Sequence, residues 1–562
     1  MATAWQTFPI EFQGGLISNM SGLQHGLNAV GSATTLQNFE PSRKGGYTKV
    51  LGFEKFSSLT VPGTGEIRAL KVLSRSKVIA ARQLTQAAIT TYGTTNSNPL
   101  NLSVDPQTKL LSTDAGKLGY YILDLDEATP QWKFLWKTIE RPTVNTRVRH
   151  AEVEEANGTA VIFTDGLAQP IIYNRGLNLS FKDKMGGLGN SLSSQWGSSD
   201  VVIFKNTAFF ANGSNLIFTA PSTVTEFAVA NGAGTINVNY NITGLIVFRE
   251  QLIIFTDSTI KRLVGSSAAD FALAPITEKI GCIDGRTIQE FGGDIMYLSS
   301  DGLRLLSATD RIGDFALDVA SDTIFKTAED FLDVTNTVFE SFVIRGKSQY
   351  RIVGYKDGYS SSVAEGLIAT KYSSQGSQGI AWSTTKGIKA YIVDGTYENE
   401  RETILFANDD GYIYKLESGV SFDGSNIEAI YQSPNLPLTD PQIRKTIYKL
   451  ALYIQANGKM TLDVSLKYDF EQLLDSTSNS SYGTPIQPDP VQVSSGGSKA
   501  FFYGGSNSVY GTAEYVNVLD TVYSSNVVGS CRTVAIKVEN NSQDPTFTLD
   551  AAILEFSQED RQ

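Results

Sequence analysis

One pattern recurs along this chain at a nearly fixed interval: an apolar strand, a short polar turn and a second apolar strand. The clearest copies are VIFKNTAFFANGSNLIFTA from Val202, IVFREQLIIFTDSTIKRLV from Ile246 and QEFGGDIMYLSSDGLRLLS from Gln289. Aligned on Phe204, Phe248 and Phe291, they bring Leu216, Ile260 and Leu303 into one column, and both columns advance by 44 and then 43 residues. That spacing is the period of a four-stranded propeller blade. Turn markers at Asp165, Asn212, Asp257, Asp301, Asp357 and Asp410 lengthen the array. Asp-Gly and Asn-Gly suit such turns because they reach positive φ at low cost. Upstream, RALKVL, KVIAAR, AAITTYG, YYILDLD and WKFLWKTI form one further unit, interrupted by the polar loop from Thr94 to Gly116. The expected fold is all-β, an irregular β-propeller of about six or seven blades over residues 65–419.

Two flanking regions break the pattern. Residues 1–64 are turn-rich and too weakly periodic to build a core alone, so they read as an N-terminal arm that packs on a later element. After Gly419 come longer strands with period-two alternation, such as Thr533, Ala535, Lys537 and Glu539 against Val534, Ile536 and Val538. Residues 420–562 are therefore expected to form a C-terminal β-sandwich. Its Gly, Ser and Pro-rich stretch at 471–515 is too long for an ordinary connection and is expected to be a functional loop. Within the propeller, ASDTIFKTAEDFLDV predicts a helical insertion near 319–333. Ile324, Phe325, Ala328 and Phe331 would share one face behind a Ser321/Asp322 cap.

Composition excludes more chemistry than it names. The net charge of −12 argues against a protein that grips nucleic acid by neutralising phosphate. Cys282 and Cys531 are the only cysteines, which supports two buried free thiols and neither a disulfide framework nor a thiolate metal site. The opening MATAWQTFPIEFQGG lacks the basic start and apolar core of a signal peptide, and no apolar run approaches the ~20 residues of a membrane span. A soluble protein assembled where it is made is expected. His25 and His150 stand alone, without a second His or Cys at metal-ligand spacing, and read as solvated or loop residues. The Asp124, Asp126 and Glu127 cluster reads as a hairpin turn. Arg43, Lys44 and Lys49, and then Arg141, Arg147 and Arg149, form basic clusters suited to subunit contact ahead of nucleic acid. Neither a phosphate loop of the GxxxxGK[ST] type nor a GxSxG elbow occurs, so no catalytic residue, cofactor or metal is expected and the chain is read as a non-enzyme.

The passage GGLISNMSGLQHGLNAVGSATTLQNFEPSRKGGYTKVLGFEKF resembles the opening of bacteriophage tail nozzle proteins, the tail tubular protein B or packaged-DNA stabilisation type of short-tailed phages. The resemblance rests on an N-x-x-P segment and a glycine-aromatic turn, here Asn38, Pro41, Gly45, Gly46, Tyr47, Lys49 and Gly52. A second stretch is similar to the middle blades of that family through Asp270, Phe271, Leu273, Gly281, Cys282, Ser299, Asp301 and Gly302. These motif residues are expected to be structural. The resemblance implies a structural virion protein, assembled in the host cytoplasm into a cyclic ring, commonly a hexamer, below the portal and tail adaptor. Such a ring continues the DNA ejection channel, carries tail fibres or spikes and helps retain the genome. Double-stranded DNA would pass without sequence-specific binding, and the 471–515 loop would narrow the channel or touch the host envelope at the tip. The alternative from another class is a propeller-type glycan-binding or glycan-degrading tail protein.

Overall fold

The computed structural model describes residues 5–559 apart from 94–109, 175–179, 183–196, 307–318, 333–336, 357–363, 470–489, 495–518 and short breaks at 139, 144–145, 156–157, 168–169, 225, 266, 268 and 375–376. Asp357 and most of the 471–515 stretch lie outside the described residues.

Consecutive antiparallel sheets follow one another along the chain at residues 64–137, 149–182, 200–237, 242–277, 289–305, 337–386 and 392–416. Six of these units have four strands, and 289–305 has three. The last is completed by the arm, whose strand Phe53–Lys55 pairs with Ile413–Leu416 before the chain enters the first strand of the first blade. Each neighbouring pair of sheets shares one apolar cluster. Tyr120, Trp136 and Phe163 join the first two sheets, and Ile162, Val201 and Phe210 the next. Ile67 and Val72 meet Ile392 and Leu405 across the join between first and last, so the ring is closed. The middle strands are buried on both faces, which is why they read as unbroken apolar runs such as Ala208–Ala211.

The turns explain the repeat. Gly166, Gly213, Gly302 and Gly411, each after its Asp or Asn marker, hold φ of 75°, 57°, 129° and 91° between the second and third strands of their blades. The preceding hairpins use two-residue turns with both φ positive, at Lys205–Asn206, Arg249–Glu250, Gly292–Gly293 and Asn399–Glu400. That geometry matches the right-handed twist of the strands.

The arm also builds the rest of the molecule. Its strand Thr35–Gln37 lies between Thr384 of the 337–386 blade and Ile430–Gln432. The blade and one sandwich sheet thereby become a single nine-stranded sheet ending in 427–432, 534–542, 461–468 and 491–494. The facing sheet contains 445–456, 519–531 and 547–558, with Gln6–Glu11, Phe39–Pro41 and Tyr47–Lys49 from the arm. Ile447, Leu452 and Ile454 pack on Leu462, Val464 and Ile536 between the two sheets.

Four expectations need correction. AAITTYG is no strand of the first blade but lies in the helix Gln86–Gly93, between the second and third strands of that sheet. Residues 322–324 form a 3₁₀ turn before the helix Phe325–Leu332, and Phe325 is 52% exposed while Ile324, Ala328 and Phe331 are buried. The tighter 3₁₀ step shifts the angular count at that boundary. The Ser321 hydroxyl accepts from Leu303 N at 3.1 Å instead of capping the helix. His25 is buried and bonded to Ser32 Oγ at 2.6 Å, so it is not solvated. Lys49 and Arg147 are buried too, which removes both from any external basic patch.

Candidate functional site

Two places concentrate polar chemistry: the seam where the arm joins propeller to sandwich, and the propeller axis. At the seam, Asn38 is buried at φ 52°, a left-handed conformation that Asn tolerates better than most residues. Its Nδ2 donates to Lys386 O and Glu428 O at 3.0 and 2.9 Å. Its Oδ1 accepts from Thr385 Oγ1 and Lys386 N, both at 2.9 Å. One side chain thus ties the last propeller strand of the fused sheet to the first sandwich strand. Tyr47 is fully buried, donates to Gly31 O at 2.9 Å, accepts from Gly15 N at 3.1 Å and packs beside Phe12 and Tyr431.

The glycines of this stretch permit close approach. A Cβ on Gly52 would stand 2.0 Å from Ser421 O, and one on Gly46 would stand 2.6 Å from Leu549 O. Gly45 and Gly46 turn the hairpin between Pro41 and Tyr47 at φ of 96° and 80°. Lys49 donates to Asn540 Oδ1, Ser542 O and Asp544 O, and burial pulls its ammonium down to about 8. Beside them Glu40 enters a buried network with Lys347 and Arg351 at 2.6 and 2.7 Å, and both cations also pair with Glu417. A cavity of about 420 Å³ opens here, lined in part by Glu40, Arg43, Lys44, Lys347, Asn457 and Asp550.

The second group of motif residues lies in the blades. Phe271 packs against Phe209 and Phe218 across the third and fourth sheets. Asp270 Oδ1 accepts from Ser267 N and Oγ, closing a turn. A Cβ on Gly281 would stand 2.3 Å from the Asp257 backbone, and the Cys282 thiol is buried and free. Asp301 pairs with Arg304, while Gly302 makes the turn. Each of these residues shapes a turn or an inter-blade contact. Asp124 pairs with Lys77 and Glu127 with Lys133 around a hairpin turn, and no metal-ligating cluster occurs among the described residues.

Ion pairs gather at the inner ends of several blades. Arg147, just before the first strand of the second blade, crosses to the 337–386 blade and donates Nη1 to Phe339 O and Glu340 Oε2 at 2.7 and 3.0 Å. Arg149 pairs with Asp200 at 3.2 Å, and Arg286 with Asp284 at 2.7 Å. On the other side Asp394 of the last blade accepts from Lys71 and Val72 N, and lies 3.3 Å from His150 Nε2. Burial pushes the Glu340 carboxyl up to about 7 despite Arg147. Burial also raises Asp394, but Lys71 and His150 outweigh it and leave that carboxyl at about 2. Sequence reasoning placed Arg147 and Arg149 outside; their true partners lie 193 and 51 residues away.

No family model matches the chain, and no curated protein does either. Among solved structures, the C-terminal WD40 domain of Sif2 is similar over 65% of this chain and 99% of that domain, at 8% identity and a TM-score of 0.30. The extracellular domain of a hybrid two-component system from B. thetaiotaomicron is similar over 82% of this chain, at 9% identity and a TM-score of 0.28. This chain spans 44% of the length of that second domain. The assignment of a propeller rests on the sheets themselves.

Proposed function

We propose that the chain is a structural subunit of a virion tail nozzle. In this reading, copies form a cyclic ring, six-membered as in the family it resembles, beneath the portal and adaptor of a short-tailed phage. The ring continues the ejection channel, carries fibres or spikes and helps hold the packaged genome.

The observation that carries the reading is the role of the resembling arm residues. Asn38, Tyr47 and Gly52 weld propeller and sandwich into one body, as a channel wall under internal pressure requires. The axial pairs support it in a second way. With Arg147 bridged to Glu340, the second and sixth blades are joined across the propeller, so in this reading the DNA path lies between subunits around the ring centre. A net charge of −12 suits a lumen that repels phosphate and lets the duplex slide.

Native mass measurement and single-particle images test this, with the protein alone and mixed with the tail adaptor of the same virus. The expected result is a closed ring with a central hole, forming alone or on the adaptor. A persistent monomer that ignores the adaptor overturns the proposal, and polysaccharide turnover by that monomer would favour the glycan-active alternative.

A further inference from the structure

The cavity at the seam is walled by three parts of the chain: the arm around 42–45, the sixth blade around 346–349, and the sandwich around 455–457 and 548–550. Among its lining residues Gln349 is 2% exposed. Arg351 donates Nε and Nη2 to Gln349 Oε1 at 3.2 and 2.8 Å. A guanidinium only donates, so this contact fixes which end of the amide is oxygen. Nε2 is left as an oriented donor without a partner among the described residues. At the rim Arg43 and Lys44 are exposed, and neither side chain makes a hydrogen bond or ion pair among the described residues. Glu40 has no oxygen to spare for them, since one is held by Lys347 and the other by Arg351. Arg43, Lys44 and Lys347 thus stand against Glu40 and Asp550, an excess of one cation on a protein of net charge −12.

We infer that this cavity binds an anionic sugar, its carboxylate or phosphate held by Arg43, Lys44 and Gln349 Nε2. Two unpaired cations and an oriented amide donor select an oxyanion, which accepts from all three. The cavity holds about 420 Å³, within the range of roughly 300–1,000 Å³ of small-molecule sites and more than a bare oxyanion fills. The remaining wall suits hydroxyl groups. Asn457 donates Nδ2 to Thr546 Oγ1 at 3.0 Å, which leaves its Oδ1 to accept from a ligand, and the Gln455 amide beside it is exposed. No aromatic side chain lines the cavity among the described residues. A nucleobase therefore has nothing to stack on, and a neutral sugar has no ring to lie against, so the charged group carries the binding. All three walls belong to one chain, and the site is complete whether or not copies assemble into a ring.

Isothermal titration of the full chain at low salt tests this with sodium glucuronate and glucose 6-phosphate as probes and glucose and inorganic phosphate as controls. At least one anionic sugar should bind at least tenfold more tightly than either control, and the tighter of the two identifies the oxyanion as carboxylate or phosphate. The double variant Arg43→Ser/Lys44→Ser lies on an exposed turn, and should weaken that binding at least tenfold with the melting temperature unchanged. Gln455→Ala, on another wall, should weaken it independently. Failure of both anionic sugars to bind overturns the inference. So does binding of glucose or inorganic phosphate with equal affinity, or an unchanged affinity in the double variant.

Discussion

Asn38 offers the sharpest test of how this molecule is joined. Asn38→Ala removes four hydrogen bonds at once, at 2.9, 3.0, 2.9 and 2.9 Å. It also puts an alanine at φ 52°. The left-handed conformation costs roughly 1–2 kcal/mol for a residue with a plain Cβ. Stranding buried partners costs about 1–3 kcal/mol for each that finds no substitute. If water reaches half of the four, the total is about 3–8 kcal/mol. Asn38→Gly separates the terms, because glycine accepts the backbone angle and should recover the conformational part, leaving about 2–6 kcal/mol. Urea unfolding followed by tryptophan fluorescence and far-UV circular dichroism reads both. Because the side chain bridges 386 and 428, the weakened variant should also unfold in two separated steps, propeller apart from sandwich. A loss below about 1 kcal/mol in Asn38→Ala, with one coincident transition, would refute the idea that this residue welds the two bodies.

Other outcomes follow from the same geometry. Gly52→Ala drives a Cβ to 2.0 Å from Ser421 O, and should cost about 2–4 kcal/mol and raise proteolysis around strand Phe53–Lys55. Glu340 has a folded pKa of about 7 against an ordinary value near 4.5, so the folded state binds the extra proton. Its contribution is greatest below about pH 4.5 and is lost as pH rises to about 7, a fall of about 3 kcal/mol that Glu340→Gln should flatten in pH-dependent urea melts. Lys49 has its pKa lowered to about 8, so the unfolded chain holds the proton more tightly and stability should rise between about pH 8 and 10.5, a slope that Lys49→Met abolishes. Thiol labelling of native protein should be slow at Cys282 and Cys531, since both are buried and burial pushes each thiol up to about 12.

What could be read in advance is what local chemistry encodes. The Asp-Gly and Asn-Gly turns after the second strands announce themselves, because glycine takes the positive φ at 166, 213, 302 and 411. Among the hairpin turns before them, Gly292–Gly293 does so too. Arg249–Glu250 takes the same left-handed pair of angles without a turn-like composition; strand pairing on either side imposes it. Arg249 stays over the Phe248 ring and donates to Gly293 O of the next blade at 2.6 Å, a tertiary gain no local pattern shows. The axial cluster was hidden for a related reason. Arg147 in ERPTVNTRVRH looks like any exposed basic run until Glu340 is brought to it by closure of the ring.

The arm explains why closure and joining are one event. Strand Phe53–Lys55 completes the last blade, while Thr35–Gln37, fifteen residues or so upstream, extends the neighbouring blade into the sandwich. Between them Glu40 enters the network of Lys347, Arg351 and Glu417, which belong to the last two blades. Arg351 is fully buried there, and removing one carboxylate would leave an uncompensated charge worth several kcal/mol. Opening the propeller therefore requires withdrawing the same segment that holds the sandwich in register. A body built this way resists partial opening, since the weakest path out of the ring crosses both the ion network and the Asn38 bridge.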